Sequence, residues 1–317
     1  MKKALSLVML LLFIFGMVSC VEETSTDTTT ITTNGILTTT TATTTAITTI
    51  TATEATPLGI EWFGEPGLLP EVFAPGFIST EANTEFAGTF SPDYEQYFYT
   101  RRTVGGTNRL YYTAFIDGSW TTPELSPISL NVPESEPFIT NDGSMLYFQS
   151  RRDNPLEYAI YQSSFIDNMW ETPVYVENGL NDDFAMYITV ADSGNIYFTG
   201  MSGTGTIGIY VIEYVDEVYQ PAVFTGVYGA HPYISPDESY MLFDNGVGEA
   251  TYIYITKNVD DNWSYPVKLD SNVNLESANQ ICSSVTADGK YFFFSRFIDG
   301  MSDIFWVDGD YLNQYLS

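Results

Sequence analysis

Apolar residues in this chain gather into short, aromatic-rich runs, each following a small polar turn. Five copies of one pattern read Phe90-Ser-Pro-Asp93, Ile139-Thr-Asn-Asp142, Thr189-Val-Ala-Asp192, Ile234-Ser-Pro-Asp237 and Val285-Thr-Ala-Asp288. A small or polar pair follows each aspartate, and then a run such as Met145-Leu-Tyr-Phe148 or Tyr291-Phe-Phe-Phe294. Such runs, bounded by Asp, Asn and Gly, predict strands joined by hairpin turns. The aspartates stand 49, 50, 45 and 51 residues apart. A period near fifty with several short strands per copy predicts a β-propeller, one blade per copy.

The second copy shows the unit. Residues 137–140 predict an inner strand, Asn141-Asp142-Gly143 a hairpin turn, and residues 145–150 a second strand. Residues 158–165 predict a third strand, Asp167-Asn168 a second turn, and residues 173–176 an outer strand that tolerates Pro173 at its edge. The second turns of the copies lead to Trp120, Trp170, Tyr219 and Trp263. These aromatics, with the tyrosines of the third strands, are read as packing between blades. The fifth copy has no outer strand, only residues 308–317, where a short terminal helix is expected. Leu69-Pro-Glu-Val-Phe73 matches Thr122-Pro-Glu-Leu125, Thr172-Pro-Val-Tyr175 and Tyr265-Pro-Val-Lys268. It is therefore expected to close the ring as the missing outer strand, with Val72 beside Ile304. The expected architecture is all-β, with five four-stranded antiparallel blades. The alternative is six blades, with residues 59–65 in part of the extra one.

The front of the chain has another character. Lys2 and Lys3, an apolar run over residues 4–18 and small Ser19 form a secretory signal over residues 1–19. Met17-Val-Ser-Cys20 resembles the lipobox of bacterial lipoproteins, which implies cleavage before Cys20 and acylation of its thiol. Residues 24–56 contain nineteen threonines, two acidic residues and no basic one. Such a stretch cannot bury a core, so residues 20–56 are expected to be an extended or disordered stalk, with the propeller over residues 57–317. With Cys20 acylated, Cys282 is the remaining thiol, so no intramolecular disulfide is expected. No cofactor or metal is expected either: there is no phosphate loop or calcium loop, and His231 is the single histidine.

The Ser-Pro-Asp turns, together with Asp288-Gly-Lys290, resemble the WD40-like repeat of the TolB type, known as PD40. The stretch from Pro70 through Phe73-Ala-Pro-Gly-Phe-Ile-Ser-Thr80 to Phe90-Ser-Pro-Asp93 and Arg101-Arg102 is similar to exported bacterial PD40 proteins. The resemblance covers residues 57–310. It implies a propeller in the cell envelope acting as a binding platform. TolB itself carries an additional N-terminal α/β domain that this sequence does not show.

The full chain has formal charge −29, and without its first nineteen residues −31, with 9 basic and 40 acidic residues. Nucleic acid is excluded as a partner, since phosphates need a basic groove. The first and third turns of each blade fall on one face of the disc and make it acidic. On the opposite face Arg101, Arg102, Arg109, Arg151 and Arg152 fall on blades one and two. Aligning the aspartates puts Ala87, Glu136, Met186, His231 and Cys282 at one position near the central mouth, with Glu85 and Glu134 in a neighbouring column. Arg101, Arg102, Arg151, Arg152, Glu85, Glu136 and His231 are thus the candidate binding face for a protein or carbohydrate partner, on a chain expected to be monomeric. A competing expectation is that the arginines pair with Asp153 and Glu157 and pin loops. No catalytic residue is assigned. The enzymatic alternative is a glycan-active hydrolase, or a lectin, at the mouth, where Glu85, Glu136 and Asp183 could supply carboxylates. His231, ahead of Pro232, is read as a satisfied polar residue rather than a general base, and Cys282 as a small buried one.

Overall fold

The computed structural model describes residues 23–33, 36–46, 58–201, 205, 207–247 and 250–317. The leader, Cys20 and Pro57 lie outside them. Residues 1–55 and 56–317 form two separate units. In the first, Glu23–Thr33 and Ile36–Ala46 are extended strands paired antiparallel, with Glu23 opposite Ala46 and Thr33 opposite Ile36.

The second unit is a five-bladed propeller. Blade one consists of Asn83–Phe90, Gln96–Thr103, Asn108–Ile116 and Glu124–Leu125, counted outward. Blade two repeats it with Glu134–Ile139, Met145–Ser150, Ala159–Ile166 and Val174–Tyr175. Blade three has Ala185–Val190, Ile196–Met201, Ile207–Ile212 and Val223–Phe224. Blade four has Ala230–Ile234, Tyr240–Val247, Ala250–Val259 and Val267–Lys268. Blade five has Asn279–Val285, Tyr291–Ile298 and Met301–Asp308, and its outer strand is Glu71–Val72.

The expected closure is therefore present. Val72 lies opposite Phe305 and Glu71 opposite Trp306, and the Phe73 amide donates to Ile304 O at 2.8 Å. Phe73 is fully buried and meets Phe63, Phe90, Tyr97, Phe293 and Trp306 with ring centroids 5.0–5.9 Å apart. This single side chain seals the seam between blades five and one. Residues 59–65 form no sixth blade. A short helix, Leu58–Glu61, packs Ile60 into the same seam, and Gly59 O accepts the Trp120 indole N–H at 2.7 Å. The chain ends in a 3₁₀ turn, Gly309–Leu312, and a short helix, Asn313–Leu316.

The repeated turn has a specific chemistry. Ser91, Thr140, Ser235 and Thr286 donate to Asp93, Asp142, Asp237 and Asp288 at 2.5–2.9 Å. Each carboxylate also accepts the amide two residues on, at 3.0–3.1 Å. Blade three breaks the rule. There Ala191 N bonds Asn195 O, four residues on, where Ser91 N bonds Gln96 O, five on. The turn is one residue shorter, and Ser193, not Asp192, stands where Asp93 stands in blade one. Ser193 instead donates to Glu238 of blade four. The turns do gather on one face: Tyr94 donates to Asp288 at 2.6 Å and Asn141 to Asp192 at 2.8 Å, each across blades.

Candidate functional site

Every inner strand carries a bulge at one height. Its centre is Ala87, Glu136, Tyr187, His231 or Cys282, with φ of 49°, 58°, 50°, 49° and 56°. The position is the one aligned from sequence in four blades. In blade three it is Tyr187 rather than Met186, as the shortened turn requires. A left-handed conformation is unfavourable for these residues and persists where surrounding bonds fix it. Here each amide is held by a polar side chain of the preceding blade's second strand or bulge. Ala87 N donates to Ser295 Oγ at 3.1 Å, Glu136 N to Thr100 Oγ1 at 2.9 Å, and His231 N to Thr199 Oγ1 at 2.8 Å. Cys282 N donates to Asp244 Oδ2 at 3.3 Å, and Tyr187 N is bonded to the Glu136 carboxylate.

Because the backbone is common to all five blades, the side chains make the difference. Tyr187 crosses the axis from blade three, and its hydroxyl donates to Ser283 O of blade five at 2.7 Å. Phe86, Ala87 and Cys282 pack with it. Toward the aspartyl turns, blades one, two and five enclose a void of about 30 Å³. Beside Tyr187, His231 Nδ1 lies 2.7 Å from Asp244 Oδ2, and its Nε2 lies 3.8 Å from Glu136 Oε1. Gln149 donates to the other Glu136 oxygen, and Tyr187 meets the imidazole edge-on at 5.2 Å.

Burial by itself lowers the His231 pKa, but Asp244 and Glu136 outweigh it and raise the group to about 9. Burial raises Glu136 and Asp244, against the pull of the imidazolium. The raised value favours the imidazolium, the form that has no free lone pair with which to accept a proton. Burial, with Glu136 and Asp244 nearby, also pushes the Cys282 thiol up, away from the reactive thiolate.

The arginines divide into two kinds. Arg101 is ion-paired with Glu85 at 2.8 Å, with the carboxylate wholly buried, and it donates to Ile78 O at 3.0 Å. Arg152 is paired with Glu134 at 2.7 Å and donates to Ile128 O at 3.3 Å. Each guanidinium also lies over an aromatic ring, Tyr111 at 4.8 Å and Tyr161 at 4.9 Å. These two pin the connection that enters their blade. Their partners are the Glu85 and Glu134 column, not Asp153 and Glu157: Asp153 accepts from Tyr161 at 2.5 Å and Glu157 from Asn154 at 3.0 Å. Arg296, which sequence reasoning passed over, does the same in blade five with Val273 O at 2.9 Å and Phe305 at 4.3 Å.

Arg102 and Arg151 remain available. Arg102 is half-buried and has no side-chain partner among the described residues. Arg151 lies over Tyr158 at 4.3 Å, with one long bond to Pro155 O at 3.4 Å. Arg109 bonds Asn131 at 3.0 Å. Across the same face, blades four and five frame an open cleft of about 520 Å³ that presents Glu276 and Asp299. The three carboxylates proposed for hydrolysis are not assembled. Glu85 is sealed against Arg101, and Asp183 lines a separate cleft beside Pro221. Asp244 is the mouth residue that sequence reasoning missed.

No family model matches the chain, and no curated protein matches it. Its structural neighbours are TolB-like and related propellers. A putative TolB from Agrobacterium tumefaciens aligns with TM-score 0.47 and 14% identity over 71% of this chain and 77% of its own. TolB from Acinetobacter baumannii aligns with TM-score 0.41 and 17% identity over 71% of this chain and 54% of its own. A gluconolactonase from Xanthomonas campestris aligns with TM-score 0.45 and 14% identity over 76% of this chain and 85% of its own. Likenesses at this level transfer no activity or ligand. The geometry of the mouth must speak for itself: Tyr187 reaching from blade three to blade five, His231 between Asp244 and Glu136, and a rim basic on one side and acidic on the other.

Proposed function

We propose that this chain is an extracytoplasmic lipoprotein, anchored through Cys20, whose propeller uses the mouth face as a docking platform for a protein or glycan of the cell envelope. The observation that carries the reading is the Tyr187 contact. Tyr187 bonds across from blade three to blade five and packs with Phe86, Ala87 and Cys282, which argues against the deep pocket with two opposed carboxylates that glycoside hydrolysis needs. Glu136 faces the His231 ring at 3.8 Å, and the second carboxylate there, Asp244, is engaged by the same ring at 2.7 Å. Docking then falls to the rim, where Arg102 and Arg151 can offer forked donors to carboxylates, and the Glu276 side complements a basic patch.

The test compares capture from intact envelopes by the full chain and by an Arg102→Ala, Arg151→Ala double variant. Loss of one specific partner by tenfold or more is the expected outcome. Undiminished capture would remove the rim from the reading. Release of reducing ends from an envelope glycan, abolished by Glu136→Gln, would replace docking with hydrolysis. Anchoring is tested separately: fatty-acid labelling should vanish in Cys20→Ser.

A further inference from the structure

The seam between blades three and four differs from its counterparts. The repeat places a tryptophan after the second turn of blades one, two and four. Trp120 donates its indole N–H to Gly59 O at 2.7 Å, and Trp170 donates to Gln96 Oε1 of the preceding blade at 2.8 Å. Trp263 packs as Trp170 does. Its ring meets Tyr197 edge-on at 6.2 Å and 88°, as Trp170 meets Phe98 at 5.6 Å and 87°. Yet its N–H has no partner among the described residues. The reason lies in blade three. Asn195 stands where Gln96 stands, one methylene shorter, and its Oδ1 accepts the Tyr214 amide at 2.8 Å while its Nδ2 donates to Glu238 at 2.9 Å. The acceptor that would satisfy the indole is engaged elsewhere.

Trp263, half-buried, lines a cleft of about 710 Å³, within the ~300–1,000 Å³ of ligand pockets. Two tyrosines stand over it with little cover: Tyr265 is 92% exposed and Tyr228 is 61% exposed. Tyr254, half-buried, adds its ring to the cleft, backed by the buried Phe243 stacked on it at 5.8 Å. The polar groups are Asp261 and the amides and hydroxyls of its neighbours, and among the described residues no lysine or arginine lines the cleft.

We propose that this cleft binds a neutral saccharide. Sugar rings present C–H faces that pack on aromatic rings, and hydroxyls that accept from an indole N–H while donating to a carboxylate. Anionic ligands are disfavoured by Asp261 and by a chain of charge −29. The site is off the mouth and independent of the docking face proposed above.

Saturation-transfer difference NMR on the full chain with maltotriose, cellotriose and chitotriose tests it. At least one should show transfer to its ring C–H protons. Tyr265→Ala, at a position too exposed to affect folding, should weaken that binding at least fivefold. Trp263→Phe, which keeps the aromatic face and removes the N–H, should weaken it at least threefold, while Tyr175→Ala on blade two leaves it unchanged. The proposal is overturned by absence of transfer from all three sugars, by binding that survives Tyr265→Ala, or by a tyrosine-rich peptide that displaces the sugar and binds more tightly.

Discussion

The two rims of the ring are built on different plans. On the aspartyl rim, four blades repeat the same bonds, a hydroxyl into a carboxylate and an amide into the same carboxylate, so the charges serve the turns that bear them. On the mouth rim, five blades repeat the same backbone bulge but place Ala, Glu, Tyr, His and Cys on it. One rim keeps its chemistry constant and the other varies it upon a constant frame. A repeated scaffold can vary side chains only where local folding does not need them, and here that place is the mouth. The acidic face, prominent in the sequence, is the structural one.

That contrast can be broken hardest at the mouth's supporting pairs. Glu85→Ala leaves the Arg101 guanidinium buried beside Tyr111 without its carboxylate, and a loss of about 3–5 kcal/mol is expected from denaturant midpoints. Glu134→Ala should do the same through Arg152. A smaller effect is expected from pH. The His231 pKa is raised from its ordinary 6.5 to about 9, so its contribution is complete below about pH 6.5 and is lost as pH rises through about 9. Asp244 and Glu136 are also raised, so their contributions likewise fall as pH increases, at lower pH. Thermal midpoints should decline from pH 6 to pH 10, by a free energy on the order of 1–3 kcal/mol, and His231→Gln should flatten the profile. A midpoint that rises over that range would contradict the charged state assigned to the triad.

The aspartyl rim should respond more mildly. Asp237→Ala removes bonds from Ser235 and from the Ser239 amide and hydroxyl in an exposed turn, and about 1 kcal/mol is expected. Ser193→Asp would restore the repeat's letter without its chemistry. Ala191 offers no hydroxyl, and Glu238 would face a like charge, so a loss of roughly 0.5 kcal/mol is expected rather than a gain.

The sequence carried the repeat, the order of strands, the closing strand at Val72 and the gathering of aspartates on one face, because each rests on local turn chemistry and alternation. It misplaced blade three by one residue because Ala191-Asp-Ser193 offers an aspartate beside the correct position while the turn is one residue short. The bulges had no signal: φ near 50° at Glu136 or Tyr187 is imposed by bonds from another blade, not by glycine. Asp244 escaped notice at the end of the aromatic run Leu242-Phe243, since only closure of the ring brings it to His231 and Cys282. The competing expectation sought the arginines' partners nearby in sequence, at Asp153 and Glu157, whereas their carboxylates lie across the strand pair, as with Arg101 opposite Glu85.

Joining the first strand to the last also sets a schedule. Ser79 and Ile304, bonded at the seam, are 225 residues apart, so at ~5–20 residues per second a ribosome needs roughly 10–45 s to make the second after the first. Until its end Phe73 lacks Phe293 and Trp306, the later half of its aromatic nest, and the growing row of blades exposes one flank. The molecule therefore spends its youth as an open arc, and whatever escorts it must shield that flank until the final strand arrives.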